Sequence, residues 1–220
     1  MNPNEAYERF LIKSEKNSIN DNLSTSKGTF ALLYNEFKNR FSEYCYEKKN
    51  EDDFRYIQTL LVLDHRINVS ESNNTSCYFK LPIDYFEFSN IYGIGSKGNC
   101  KNQKFTLYEI KGTSSNIINL NEYTSPNFNY RESNFIFGGN NIKVFIDDFT
   151  IDKIVLDYYR YPRSIILEDP ENPESNFVNI ELDFDDKVND RIISAMVGGF
   201  DLNNTSERWQ LHNLSSKTKL

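Results

Sequence analysis

Long apolar runs are missing from this 220-residue chain, and none approaches the roughly 20 residues a helical membrane span requires. Histidine is scarce, with only His65 and His212. A Ser-His-Asp or Cys-His centre, or a zinc site, would have to draft one of them, and neither sits in an elbow-like context. The three cysteines, Cys45, Cys77 and Cys100, are widely spaced without a CxxC, which reads as reduced thiols; a Cys77–Cys100 bond stays open. Nine glycines in the whole chain argue weakly against phosphate-cradling loops. Positive charge is short as well: Lys and Arg number 25 against 32 Asp and Glu, for a net charge of −7. The basic residues are scattered apart from Lys217 and Lys219, whereas a DNA-binding module carries a basic face. The opening MNPNEAYERF is polar and mixed, so no secretory leader is expected. Glycosylation-type triplets such as Asn73–Thr75 follow from the abundance of Asn and Ser and carry no weight.

What the chain has is aromatic rings, 17 Phe and 14 Tyr, which supply large buried areas and, for Tyr, interface contacts. They concentrate around Ile142–Arg163, the stretch on which the rest is expected to be built. Ile142, Val144 and Ile146 alternate with Lys143, Phe145 and Asp147; after a polar turn, Ile154, Leu156 and Tyr158 alternate with Val155, Asp157 and Tyr159. Period-two alternation of β-branched and aromatic residues marks strands. The second run ends at Pro162 and, with rings on both sides, reads as a central strand.

Ahead of it the period is helical. Residues 4–17 place Tyr7, Phe10 and Leu11 on one stripe. Cap candidates Ser24, Thr25 and Ser26 precede Phe30, Leu33, Phe37, Phe41 and Tyr44, an amphipathic helix of about five turns with Lys38, Arg40, Glu43 and Glu47 outward. Phe54, Ile57, Leu60 and Leu61 suggest another helix, capped by Asp52 or Asp53. The polar stretch Asn68–Ser76 is the expected boundary. Strands are then expected at 78–81, 85–92, 105–110, 117–120, 135–137, 143–147, 153–161 and 179–182, forming an antiparallel sandwich or rolled sheet. Asp183, Asp185 and Asp186 lead a final helix through Val188, Ile192, Ile193, Met196 and Val197, which Gly198-Gly199 closes. The tail from Asp201 is polar with a lone Trp209, an anchor expected to order on a partner surface.

The chemically suggestive groups have plainer explanations. Gly93-Ile-Gly-Ser-Lys-Gly98 matches GxGxxG after a strand, but a second strand follows instead of the helix a pyrophosphate site needs, so a hairpin turn is expected. Asp147-Asp148, Asp157 and Asp183/Asp185/Asp186 could pair as acids or hold calcium, although turns and helix caps account for them. Asp157 and Arg160 read either as placed near cross-strand partners in a buried or interface ion pair or as ordinary strand alternation. Catalytic residues, cofactor-binding residues and metal ligands are all expected to be none.

The order of these segments carries a resemblance. A helical pair precedes Leu81-Pro-Ile-Asp-Tyr-Phe-Glu-Phe88; the aromatic segment Asn127–Phe137 leads into Ile142–Ile146. Then come Ile154–Ile165 (IVLDYYRYPRSI), an acid-led helix and Arg208-Trp-Gln-Leu-His-Asn213. The chain resembles the head-to-tail connector, or ring, proteins of short-tailed bacteriophages, especially the crAss-like phages, and more loosely the tail tubular adaptor of T7-like phages. The resemblance implies a non-enzymatic structural virion protein, assembled in the host cytoplasm. It implies a ring of about twelve copies below the portal protein, contacting neighbouring connector and tail proteins, with DNA passing through the lumen without sequence-specific binding. No membrane partner is expected. The organisation expected is α+β: a helical part (1–70), a β-sandwich (71–182), a C-terminal helix packing on the core (183–200) and an extended arm (201–220). The alternative is a β-sandwich binding module for carbohydrate or a host surface, in the manner of a tail fibre or adhesin.

Overall fold

The chain is described by a computed structural model that covers residues 1–17, 25–48, 54–110, 125–167 and 181–200. Each helix begins where a short polar side chain can take up a free backbone N–H. At α1 (Pro3–Asn17), Asn2 Oδ1 accepts from Glu5 N and Glu5 Oε2 accepts from Asn2 N, both at 2.9 Å, a reciprocal capping box with proline at the first helical position. At α2 (Lys27–Lys48), Ser26 Oγ accepts from Thr29 N at 3.1 Å. At α3 (Asp186–Phe200), Asp185 Oδ1 accepts from Val188 N at 2.8 Å. The helix runs through Gly198 and Gly199 to Phe200, where the glycines had been expected to close it.

The fold is α+β, and the chain divides into two units: residues 1–60 with 161–220, and residues 61–160. In the first, α1, α2 and α3 pack through Ala6, Phe10, Phe30, Tyr34, Val188, Ile192, Ile193 and Met196. The Phe10 and Phe30 rings lie 5.3 Å apart and Tyr7 meets Phe30 edge-on at 5.4 Å. Arg9 and Lys13 of α1 reach Asp190 and Ser194 of α3. Two sequence expectations fail here. Lys38 is buried, not outward, because the fully buried line of α2 runs Phe30, Tyr34, Lys38, Ser42 and Cys45, while Leu33, Phe37, Phe41 and Tyr44 are half-buried. The helix expected over Phe54–Leu61 is a single 3-10 stretch, Arg55–Leu60, that runs straight into a strand.

The second unit is one eight-stranded sheet: β1 (Leu61–Asn68), β2 (Glu71–Ser72), β3 (Ser76–Lys80), β4 (Tyr85–Lys97), β5 (Cys100–Glu109), β6 (Glu132–Gly138), β7 (Asn141–Phe145) and β8 (Thr150–Arg160). The order is β1-β8-β4-β5-β6-β7-β3-β2. It is a curled single sheet rather than a sandwich. All neighbours are antiparallel except β5 and β6, which are parallel; residues 110–131 between them give the length a parallel return needs. The curl closes where the chain passes from β1 to β2: Val69 N donates to Asp152 O of β8 at 3.1 Å and Ser70 N donates to Tyr78 O of β3 at 2.8 Å. The Val69–Asp152 bond continues the β1–β8 register, and on its other side β8 carries a bulge, β4 pairing Ile94 with Lys153 and Gly95 with Ile151.

The strand β8 lies between β1 and β4 and is buried on both faces, Ile154, Leu156 and Tyr158 on one and Val155 and Tyr159 on the other. Phe79, Phe105, Phe135, Ile142, Ile151, Ile154 and Leu156 fill the interior, with Phe105 stacked on Phe149 at 4.9 Å. The boundary expected at 68–76 falls instead at Leu60/Leu61. The expected strand at 117–120, most of that at 179–182 and the arm at 201–220 lie outside the described residues; Glu181 and Leu182 are not in a strand.

Candidate functional site

The residues that suggested chemistry in the sequence have structural assignments. Gly93 and Gly95 lie inside β4 and Gly98, at φ +54°, makes the turn into β5, so the GxGxxG stretch is a hairpin. His65 is on β1 and meets the Tyr158 ring edge-on at 5.6 Å; His212 lies outside the described residues. Cys45, Cys77 and Cys100 are free thiols, the first two buried. Among the described residues no three His, Cys, Asp or Glu side chains converge as a metal site, and no helix is long and apolar enough to cross a membrane.

The acids are dispersed, Asp147 being exposed, and the others have separate partners. Asp148, between β7 and β8, pairs with Lys97 at the turn end of β4. Asp157 Oδ1 accepts from Asp64 N at 2.8 Å, holding the left-handed residue (φ +54°) at the β1 bulge, and does not reach Arg160 as an ion pair. The three acids before α3 divide three tasks. Asp185 caps the helix. Asp186 meets the N-terminal ammonium at 3.0 Å. Asp183, 4 % exposed, takes Arg163 N at 2.6 Å, Arg163 Nε at 2.9 Å and the other arm of the guanidinium at 2.8 Å.

That last contact belongs to an arrangement the sequence did not disclose. Residues 161–167 follow β8 as an extended segment laid along α2. Asn35 grips Ile165 like a neighbouring strand: its Nδ2 donates to Ile165 O at 3.0 Å and its Oδ1 accepts from Ile165 N at 2.9 Å. Lys38 Nζ donates to Arg163 O and lies 5.9 Å from the Tyr34 ring centre. Beneath them Tyr34 donates to Asn189 Oδ1 at 2.6 Å, and Asn189 Nδ2 donates to Phe184 O at 2.8 Å. Burial, and secondarily the charge of Asp183, push the Tyr34 phenol well above its ordinary range. The backbone N–H and C=O groups of Arg163 and Ile165 are thus all taken up by side chains of the helical unit. Pro162, Ile165 and Leu167 point in, whereas Ser164 and Ile166 face solvent. The signal for Lys38 was present, since it stands four residues after Tyr34 and eight after Phe30; nothing in the sequence marks Asn35.

Large apolar side chains stand exposed on both units. The helical unit shows Leu32 (74 % exposed), Ile12, Tyr161 and Ile166 (66 %). The sheet unit shows Leu63 and Ile83, and also Tyr130 (77 %) and Tyr108 (50 %), whose hydroxyl donates to Glu132 Oε1 at 3.2 Å. That bond and the Glu132 charge raise the Tyr108 phenol above its usual value. Lys104 lies 3.8 Å over the Tyr92 ring on the outer face of the same sheet. They are distributed over each unit. No protein-family model matches the chain, and no curated protein matches it.

Proposed function

We propose that the chain is a structural virion protein forming an oligomeric ring in the head-to-tail connector of a short-tailed phage, below the portal, with DNA passing through the lumen. The observation that carries the reading is the spread of exposed Leu, Ile and Tyr side chains over both units, Leu32 and Ile166 on one and Leu63, Ile83 and Tyr130 on the other. A ring subunit meets two copies of itself and proteins above and below, so it needs several moderate interfaces in place of a single cleft. The residue order behind the resemblance supports it further: Leu81–Tyr85 leads into β4, Asn127–Phe137 forms a turn and β6, and an acid-capped helix follows β8. An overall charge of −7 suits a channel that lets DNA slide without gripping its phosphates.

The second reading, a module binding carbohydrate or a host surface, draws on Tyr108 and Tyr130, exposed rings near the Glu132 carboxylate. The copy number in purified particles, measured by quantitative mass spectrometry against the portal, separates the two. A ratio near one to one is expected. A trimer or hexamer multiple per tail points to a fibre, and absence from particles overturns the structural assignment.

A further inference from the structure

We propose that the outer edge of the extended segment 163–167 is a strand-docking site, and that its occupant is residues 201–220 of a second copy of this chain. The inference deepens the ring reading, since it supplies a copy-to-copy contact.

Backbone polar groups of successive residues in an extended chain point to opposite sides. Arg163 gives its N–H to Asp183 and its C=O to Lys38, and Ile165 gives both of its groups to Asn35. The odd residues thus face the helical unit. Ser164 and Ile166 turn their N–H and C=O groups the other way, where among the described residues none has a partner. An extended edge of this kind templates another strand.

The edge also carries an apolar anchor. The segment runs antiparallel to α2, with Lys38 at residue 163 and Asn35 at residue 165. Three helical residues advance about 4.5 Å and two extended ones about 6.6 Å, so Leu32, one turn beyond Asn35 on the same stripe, lies near the level of residues 166–167. Leu32 and Ile166 are among the most exposed large apolar side chains of the helical unit.

Three features select the occupant. The N-terminal end of α3 is tied to this segment through Asp183, and its 15 residues carry the chain about 22 Å away before residue 201 begins. The remaining 20 residues can span about 66 Å when extended, enough to reach a neighbouring copy. Their sequence also suits an added strand: Arg208-Trp-Gln-Leu-His212 alternates, placing Trp209 and Leu211 on one side to meet Ile166 and Leu32. No proline removes a donor anywhere from Asp201 to Leu220.

The test uses the full chain with exposed Cys100→Ser, leaving only the buried Cys45 and Cys77. Ser164→Cys is combined in turn with Arg208→Cys, Gln210→Cys and His212→Cys, and mild oxidation is followed on non-reducing gels. A ladder of dimers and larger species from at least one pair is expected. Ile166→Lys, a surface change that leaves folding intact, should abolish the ladder, weaken self-association about tenfold or more, and reverse the blue shift in Trp209 emission on assembly. A disulfide closed within one copy, or assembly with no disulfide in any pair, overturns the docking site and leaves the ring reading standing. A chain that stays monomeric at every concentration overturns both.

Discussion

Replacing Gly95 by alanine should unseat the closure of the curled sheet. Gly95 faces the β8 bulge next to Asp152, whose O receives Val69 N, and a Cβ there would sit 2.1 Å from Thr150 O and 2.9 Å from Ile151 Cδ1. The first atom is backbone, so no rotamer change relieves the collision; β4 and β8 must separate. Overpacking of this kind costs about 1–3 kcal/mol, and one or two disrupted ladder hydrogen bonds add about 1 kcal/mol each. The sum, about 2–5 kcal/mol, corresponds to a fall in Tm of roughly 5–20 °C for a chain of this size. Calorimetry, which can resolve the melting of the sheet unit, is the assay. Gly28→Ala is the control, because its Cβ would meet only Ser26 Oγ, at 3.9 Å, in a helix that favours alanine. If Gly95→Ala melted within a degree of the parent, the account of how the sheet closes would be wrong.

The polar contacts give two more tests. Asp185→Ala removes the α3 cap and should cost about 1 kcal/mol, whereas Asp186→Ala should cost markedly less, since that exposed carboxylate holds only a surface ion pair; equal losses in urea titrations would refute the division of tasks. Burial, helped by the hydrogen bond it donates to Asp84 at 3.0 Å, pushes the Tyr158 phenol up to about 12. The folded state therefore holds this proton more tightly than the unfolded chain, whose tyrosines titrate near 10. Its contribution is complete below about pH 10 and disappears as pH rises toward 12. Tyr158→Phe should flatten the fall in stability across that window, leaving the part due to the other raised tyrosines, Tyr34, Tyr108 and Tyr159; an unchanged slope would rule out the contribution.

Much of the architecture could be read from residue patterns, and the failures have definite causes. The alternation through Ile142–Tyr159 identified β7 and β8 because each has at least one face in the aromatic interior. It failed at β1, where the bulge at Asp64 puts Val62, His65 and Ile67 on one side at spacings of three and two, which imitates a helical stripe. Ser26 was among the expected caps and Asp185 among the expected capping acids, since capping is local chemistry. The parallel β5–β6 pair and the return of residues 161–167 onto α2 depend on contacts distant in sequence. Asn35 and Asp183 acquire their roles only from a segment more than 120 residues from the one and 20 from the other.

The sheet unit is inserted between the two halves of the helical unit, with its ends adjacent, Leu61 facing Tyr159 across the β1–β8 ladder. Synthesis must therefore produce α1 and α2 first and leave Phe10, Phe30 and Tyr34 without α3 while roughly the next 140 residues are made. At 5–20 residues per second that interval is about 7–28 s. The insert can complete its own hydrogen-bonded ladder in that time and brings its exit beside its entrance. The host unit is the last part of the nascent chain to mature, although it contains the first residues translated. A ribosome-bound chain stalled once Arg160 has emerged, but before α3 has, would hold a finished insert and an unfinished host, the form in which chaperones would meet it.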